Sequence, residues 1–266
     1  RLARLRIGLT YLWRHGRLPR LRDPQRFTEW VQHAKLHCRN PRLPALIDKV
    51  AVKRHVAELL GEEWVTPLLW SGTALPPSAL WPEPYVIKSR HGCNQRIFVR
   101  GGAGDWAQIR RRAARWVQRP YGLWLDEWGY RDVPRGIIVE AFAGDGPGLP
   151  IDYKLYVFGG RVEAVQVHVD RETAHRWMLF DRDWHWLSTP QPAKPTAPAS
   201  LLEMIAAAER LATGMPFVRV DFFEIDGRPR FGEMTFYPGS GLDPFDPDAL
   251  DLTLGAHWAR ATGLNT

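Results

Sequence analysis

The sequence predicts an α+β fold built from two lobes, on three observations. Short β-rich runs joined by tight turns recur in both halves of the chain. Helical patterns with capping residues are interspersed among them rather than alternating strictly with strands, which argues against a doubly wound parallel sheet. The 266 residues are 45% hydrophobic and 24% charged. That supports one large domain or two small lobes, each with a core, and excludes global disorder.

The elements follow in order. Arg1 to Arg42 is basic and mixed with Leu and Trp. Within it, Arg1 to Arg22 sets Leu2, Leu5, Ile7, Leu9 and Leu12 among many arginines. This is the pattern of an amphipathic helix that lies on an anionic membrane surface, packs on the domain, or serves as an arm bound to a segment outside this sequence. Asp48 to Leu60 reads as a helix closed by Gly61. Tyr85-Val86-Ile87 and Ile97-Phe98-Val99 form a strand–loop–strand unit around His91-Gly92-Cys93-Asn94. Asp105 caps a basic helix reaching about Gln118. Gly136 to Phe142 is an apolar strand.

Asp152 to Asp170 is a hairpin turning at Gly159-Gly160. In its second strand Val165, Val167 and Val169 alternate with Gln166, His168 and Asp170, giving one apolar and one polar face. Ser188 to Ser200 is a Pro/Ala-rich loop. Ser200 with Glu203 makes a capping box for a helix ending near Gly214. Phe217 to Phe236 is a second hairpin around Asp226-Gly227, and Pro247 to Thr262 closes the chain as a helix with Asp246 at its N-cap. The expected division is a helical N-terminal segment over 1–65, a small lobe over 66–140 and a large lobe over 141–266.

Composition narrows the function classes. Lys and Arg number 36 against 29 Asp and Glu, a net charge of +7. That balance suits anionic partners: nucleotide phosphate, acidic glycan, nucleic acid or a membrane surface. Cys38 and Cys93 are too few for a disulfide scaffold and read as free thiols of a reducing cytosol. No apolar run is long enough to span a bilayer, and no signal peptide is visible. The thirteen Trp read chiefly as core and lobe-packing aromatics, with stacking on bases or sugars as the alternative.

The second hairpin carries the chemistry. Strand alternation puts Val218, Val220 and Phe222 on one face and Arg219 and Asp221 on the other. On the return strand Glu233 and Thr235 share a face. A two-residue turn at Asp226-Gly227 would pair Asp221 with Gly232. A three-residue loop, Asp226-Gly227-Arg228, pairs Asp221 with Glu233 and Arg219 with Thr235, and is the turn expected here. Two opposed carboxylates repel, and a divalent cation between them removes the conflict. Hard oxygen ligands in small number, completed by phosphate oxygens, suit magnesium. Arg219 is placed to neutralise phosphate or a developing oxyanion. A solvated polar face of an ordinary hairpin is the bland alternative.

Upstream, Lys88 ends a strand just before a small-residue loop whose backbone N–H groups can fold over phosphates. Glu140-Ala141-Phe142 follows an apolar strand, where backbone can pair with an adenine edge and Glu140 can accept from a ribose hydroxyl. A surface lysine and an ordinary strand end are the alternatives.

The series Asp48-Lys49, Lys88 with its loop, Glu140-Ala141-Phe142, Arg219/Asp221 and Glu233-x-Thr235 with Pro238-Gly239 resembles the ATP-grasp superfamily. Asp48-Lys49-Val50-Ala51-Val52, Asp152-Tyr153-Lys154, Phe158-Gly159-Gly160, Asp170-Arg171, Pro216 to Asp221 and Gly232-Glu233-Met234-Thr235 are similar to its teichuronopeptide-biosynthesis (TupA-like) members, over most of the chain from about Arg26 to Gly255.

The resemblance implies an ATP-grasp fold, two α+β lobes clamping ATP. It implies Lys49 and Lys88 on the ATP phosphates, with His91 and Gly92 in the covering loop, and Glu140, Ala141 and Phe142 as the adenine hinge. Lys154 and Arg171 would lie near the triphosphate or acceptor. Asp221 and Glu233 would hold Mg2+, with Thr235 where many relatives have Asn, and Arg219 would serve an acyl-phosphate step. The loop at His91 to Gln95 is less Gly-rich than the family pattern. The extra N-terminal domain of many such ligases is not expected, so the acceptor site should be built differently.

The resulting expectation is a cytoplasmic, ATP- and Mg2+-dependent carboxylate–amine ligase acting on an amino acid and an acidic cell-surface glycan or its precursor. Peripheral membrane contact would run through the basic N-terminus, and no specific nucleic-acid partner is expected. Two further classes stay open: a metal-dependent glycosyltransferase of the same pathways, disfavoured by the lack of an Asp-x-Asp pair after an opening strand, and a non-catalytic nucleotide- or nucleic-acid-binding module using the Arg/Trp content.

Overall fold

A computed structural model describes residues 2–102, 104–144, 148–169, 172 and 175–263. The chain divides into two compact units, one comprising Arg1–Arg39 with Asp145–Thr266 and the other Asn40–Gly144. In chain order, α1 (Leu2–His15) and α2 (Phe27–His37) open the first unit. The second is built of α3 (Leu43–Ile47), α4 (Ala51–Leu60), β1 (Leu68–Gly72), β2 (Tyr85–Ser89), β3 (Arg96–Val99), α5 (Trp106–Gln118) and β4 (Ile137–Ala141). The chain returns to the first through β5 (Asp152–Phe158), β6 (Arg161–Val169), β7 (Arg176–Phe180), α6 (Leu201–Leu211), β8 (Phe217–Ile225), β9 (Arg228–Thr235) and α7 (Ala249–Ala261).

Unit 40–144 is an antiparallel sheet of order β1-β4-β2-β3. Alternation sends Tyr85 and Ile87 of β2 and Ile137 and Val139 of β4 to one face, where they meet Ala113 and Trp116 of α5 in the core. Helix α5 supplies Trp106, Ile109, Ala113, Trp116 and Val117, at helical spacing, while its arginines stay out. It starts where expected: the Asp105 side chain accepts from the Gln108 N–H at 3.0 Å. The opposite sheet face carries Lys88 and the buried Val86 of β2 and Glu140 and the buried Ile138 of β4.

The other unit centres on an antiparallel sheet of order β7-β6-β5-β8-β9. One face, with Leu155, Val157, Val218, Val220 and Phe222, is fully buried, and α6 lies against its strands. On the other face the β5 and β8 residues change character along the strands. Phe158 and Phe217 at one end pack with Phe27 of α2 and Trp258 of α7, the Phe217 and Trp258 rings stacking at 4.2 Å. Toward the other end the same face carries Lys154, Asp152, Arg219 and Asp221, in register across the two strands.

Three local expectations are corrected. The second hairpin closes with a two-residue turn, Ile225 pairing with Arg228, and both Asp226 and Gly227 take positive φ, as a primed turn requires. Ser200 does not cap α6. Its hydroxyl and N–H both donate to Glu224, at 2.6 and 2.7 Å, so a tertiary acceptor outcompetes the local one. Helix α7 begins two residues later than Asp246 predicts, with Asp248 at the cap position and its carboxylate turned to Arg26 at 2.7 Å instead of to the helix.

Candidate active site

In unit 40–144 the polar face of the sheet is organised around Glu140. It is only 5% exposed, yet two lysines bracket it: Lys88 Nζ is 2.6 Å from Oε2 and Lys53 Nζ 3.1 Å from Oε1. Burial alone would raise the Glu140 pKa. The two lysines outweigh it and hold the carboxyl at about 2, so it stays ionised. Burial pushes the Lys53 ammonium down, against Glu140. With two cations on one carboxylate the cluster carries +1. Lys53 was not anticipated. The signal was available, because Lys53 lies one helical turn beyond Lys49.

The neighbouring loop is held from several sides. Lys49 Nζ donates to the Gly92 carbonyl at 2.5 Å. Asp48 takes a bidentate grip from Arg90, at 2.6 and 2.5 Å, which locks the start of α4 to the β2–β3 loop. His91 is 2% exposed, and its ring is occupied by backbone. Nδ1 accepts from the Gly136 N–H and Nε2 faces the Trp116 carbonyl. Burial lowers its pKa, so the ring is a neutral structural strut. Gly92 has no room for a side chain: a Cβ there would meet Ser89 Oγ and Gln95 Oε1 within 3 Å. The Ala141 and Phe142 N–H groups donate to the carbonyls of Pro67 and Pro84, so both are already engaged within the protein.

In the other unit the charged end of the sheet converges on Asp221. Arg219 Nε and Nη2 donate to its two oxygens, each at 2.7 Å. Lys154 Nζ lies 2.6 Å from Asp221 and 2.6 Å from Asp152. Register pairs Asp221 with Glu233 and Arg219 with Thr235. That pairing is the one expected, but it arises differently. The two-residue turn alone would oppose Asp221 to Gly232; a bulge between Asp221 and Phe222 absorbs the extra residue and returns Glu233 to the Asp221 face. Gly232 makes this feasible, since a Cβ there would sit 3.0 Å from the Asp221 carbonyl oxygen.

The repulsion between the two carboxylates is offset within the protein. Arg219 Nη2 reaches Glu233 at 3.4 Å and the Thr235 hydroxyl at 3.0 Å as well as Asp221. Burial pushes the Asp221 carboxyl above its ordinary value, with Arg219 and Lys154 pulling it back. Three carboxylates, Asp152, Asp221 and Glu233, against Lys154 and Arg219 leave this cluster at −1. Tyr156, whose hydroxyl donates to Gln166 at 3.1 Å, borders it. Across from Asp152 on β6 lies His168, pushed down to about 3 by burial and then by Lys154, and joined to His175 at 2.9 Å. Tyr156 was not singled out from the sequence, and Asp152 entered only through the motif Asp152-Tyr153-Lys154, without a role. Arg171 lies outside the described residues.

The oxygens fit a magnesium ion. Asp221 and Glu233 are hard donors on adjacent strands and one face, and the Glu233 side chain is 37% exposed. Asp221 Oδ1 keeps a lone pair beyond its hydrogen bond from Arg219 Nε, whereas Oδ2 accepts from both Arg219 and Lys154. Among the described residues no three Asp, Glu, His or Cys side chains close into a cage, and magnesium characteristically takes one or two carboxylates with water and phosphate.

The TupA-like ATP-grasp family model matches residues 29–259. The chain belongs to the TupA-like ATP-grasp family. Its fold is also that of solved ATP-grasp ligases. The D-alanine–D-alanine ligase of Bacillus anthracis, complexed with ATP, is 13% identical with a TM-score of 0.51, over 83% of this chain and 64% of that one. The L-amino acid ligase of Bacillus licheniformis is 14% identical with a TM-score of 0.50, over 81% and 50%. This ATP-grasp chain thus spans between half and two thirds of the length of those ligases. No curated protein matches it.

Proposed function

We propose that the chain is an ATP- and Mg2+-dependent carboxylate–amine ligase. The observation that carries this reading is the in-register pairing of Asp221 with Glu233 under Arg219, in a chain of the ATP-grasp family. In unit 40–144, Lys88 and Lys53 present ammonium groups oriented by Glu140, and Lys49 fixes the Gly92 loop. These cations serve the nucleotide phosphates. The carbonyls at Glu140 to Phe142 take the adenine edge.

In the other unit Asp221 and Glu233 hold magnesium, with Thr235 beside them. Bound there, the ion supplies charge neutralisation for the phosphoryl oxygens. Arg219 is fixed by Asp221, so its remaining donor capacity faces a developing anion without reorganisation. Lys154, and Arg171 by family resemblance, steer the anionic groups. The substrate carboxylate attacks the γ-phosphorus and ADP leaves. An amine nitrogen then attacks the acyl carbon, phosphate leaves, and the amine gives up a proton as the amide forms. Side chains contribute positioning and electrostatics throughout.

The +7 charge supports an acidic glycan or its precursor as one substrate and an amino acid as the other, with the reaction in the cytoplasm where ATP is supplied. The test is ADP release in the presence of candidate carboxylates, comparing the parent with Glu233→Gln and Asp221→Asn. Release at the parental rate by both variants would overturn the metal assignment.

A further inference from the structure

Helix α1 presents two unlike faces. Inward, Ile7 and Tyr11 are buried, and the Tyr11 hydroxyl bonds the Thr28 hydroxyl at 2.8 Å. Arg14 Nε and the His15 ring hold the carbonyls of Leu242 and Gly241. The helix is therefore laid flat on its own unit. Outward, Leu2, Leu5, Leu9, Leu12 and Trp13 are 80, 61, 57, 40 and 82% exposed. At about 100° per residue these five share an arc of about 100°. Leu18, 65% exposed, continues the apolar surface beyond the helix. Residues 1–22 contain seven arginines and no acidic residue, and Arg4, Arg14 and Arg22 are exposed.

We propose that this face of α1 is a docking surface for an anionic lipid bilayer, with Leu2, Leu5, Leu9, Leu12 and Trp13 entering the interface and the arginines meeting acidic headgroups. An apolar stripe with an exposed Trp, flanked by arginines and free of acid, suits the headgroup–acyl boundary. A second copy fits poorly. A two-fold pairing of one fourteen-residue helix would set arginines against arginines and cover far less than the roughly 800 Å² per partner of a stable interface. A polyanion such as nucleic acid would use the arginines and leave the leucines in water. No helix among the described residues is long and apolar enough to cross a membrane, so the contact is peripheral.

This inference is independent of the ligase reading. It is tested by co-sedimentation of the full chain with vesicles of phosphatidylcholine alone or mixed with phosphatidylglycerol. The expected result is a bound fraction about tenfold higher on the anionic vesicles, falling as salt is raised. The triple variant Leu5→Glu/Leu9→Glu/Trp13→Glu should lose binding, and Arg4→Glu/Arg22→Glu should lose the preference for anionic lipid. All five side chains are exposed, so an unchanged melting temperature checks the fold. Absence of binding to either vesicle overturns the proposal, as does binding that the triple variant retains. A parent that is dimeric in solution, made monomeric by the triple variant, assigns the face to a second copy and also overturns it.

Discussion

Each unit buries a carboxylate between two basic side chains, and the two clusters end with opposite charge. Glu140 stands alone against Lys53 and Lys88, leaving +1. Asp221 shares Lys154 and Arg219 with Asp152 and Glu233, leaving −1. Under the proposed function the first serves phosphate anions and the second a cation. The burial cost is the same in kind, and the partner count decides whether the acid is held well below its ordinary pKa, as Glu140 is, or lifted above it, as Asp221 is.

The largest effects should come from breaking the negative cluster. Glu233→Gln removes one unit of charge at a half-exposed position, and ATP turnover should fall by about a hundredfold or more, about 2.7 kcal/mol of transition-state stabilisation. Its melting temperature should stay near that of the parent. Asp221→Asn should lose as much activity and, in addition, about 3–5 kcal/mol of stability, because Arg219 would lose its bidentate acid and Lys154 one of its two. ADP release and urea unfolding separate the two outcomes.

The positive cluster should fail in the other currency. Glu140→Gln leaves Lys53 and Lys88 facing each other, at a cost of about 3–5 kcal/mol. Replacing the whole triad by Lys53→Met/Lys88→Met/Glu140→Leu should restore much of that stability and leave adenine-nucleotide affinity abolished, read by thermal shift. Restored affinity in the triad variant would show that these lysines serve structure alone.

The contrast has a pH signature. Glu140 falls from an ordinary 4.5 to about 2. A depressed acid contributes stability that is present above 4.5 and lost as pH drops toward 2, on the order of 3 kcal/mol in all. The gap in unfolding free energy between the parent and Glu140→Gln should therefore close across that window. Asp221 is raised, so its own contribution has the opposite sign: present at low pH and lost as pH rises through its folded value. Asp221→Asn should not flatten the acid limb as Glu140→Gln does.

How much of this was legible in the sequence follows from the range of the interactions. Strand alternation alone places Arg219 with Asp221 on one face of their strand and Glu233 with Thr235 on one face of theirs; whether the two sets meet depends on the turn. The path to that pairing was not legible, because a three-residue loop and a two-residue turn with a bulge give the same partners, and only the backbone distinguishes them. Lys53 escaped notice because its role is set by a contact made across the fold, to Glu140. Ser200 shows the same limit: a capping box is a local pattern, and Glu224 overrides it from another strand.

The smallest effects test how the hairpin sets its register. Gly227 has φ +67 and open space around its missing side chain. Gly227→Ala should therefore cost only the left-handed backbone penalty, about 1 kcal/mol, with turnover unchanged. Gly232→Ala should cost a similar amount, because its new methyl would press on the Asp221 carbonyl oxygen at 3.0 Å. It should also slow ATP turnover several-fold, since relief of that contact moves Asp221 relative to Glu233. Equal turnover in the two variants would mean that the bulge is a passive consequence of the turn and does not hold the carboxylate pair in place.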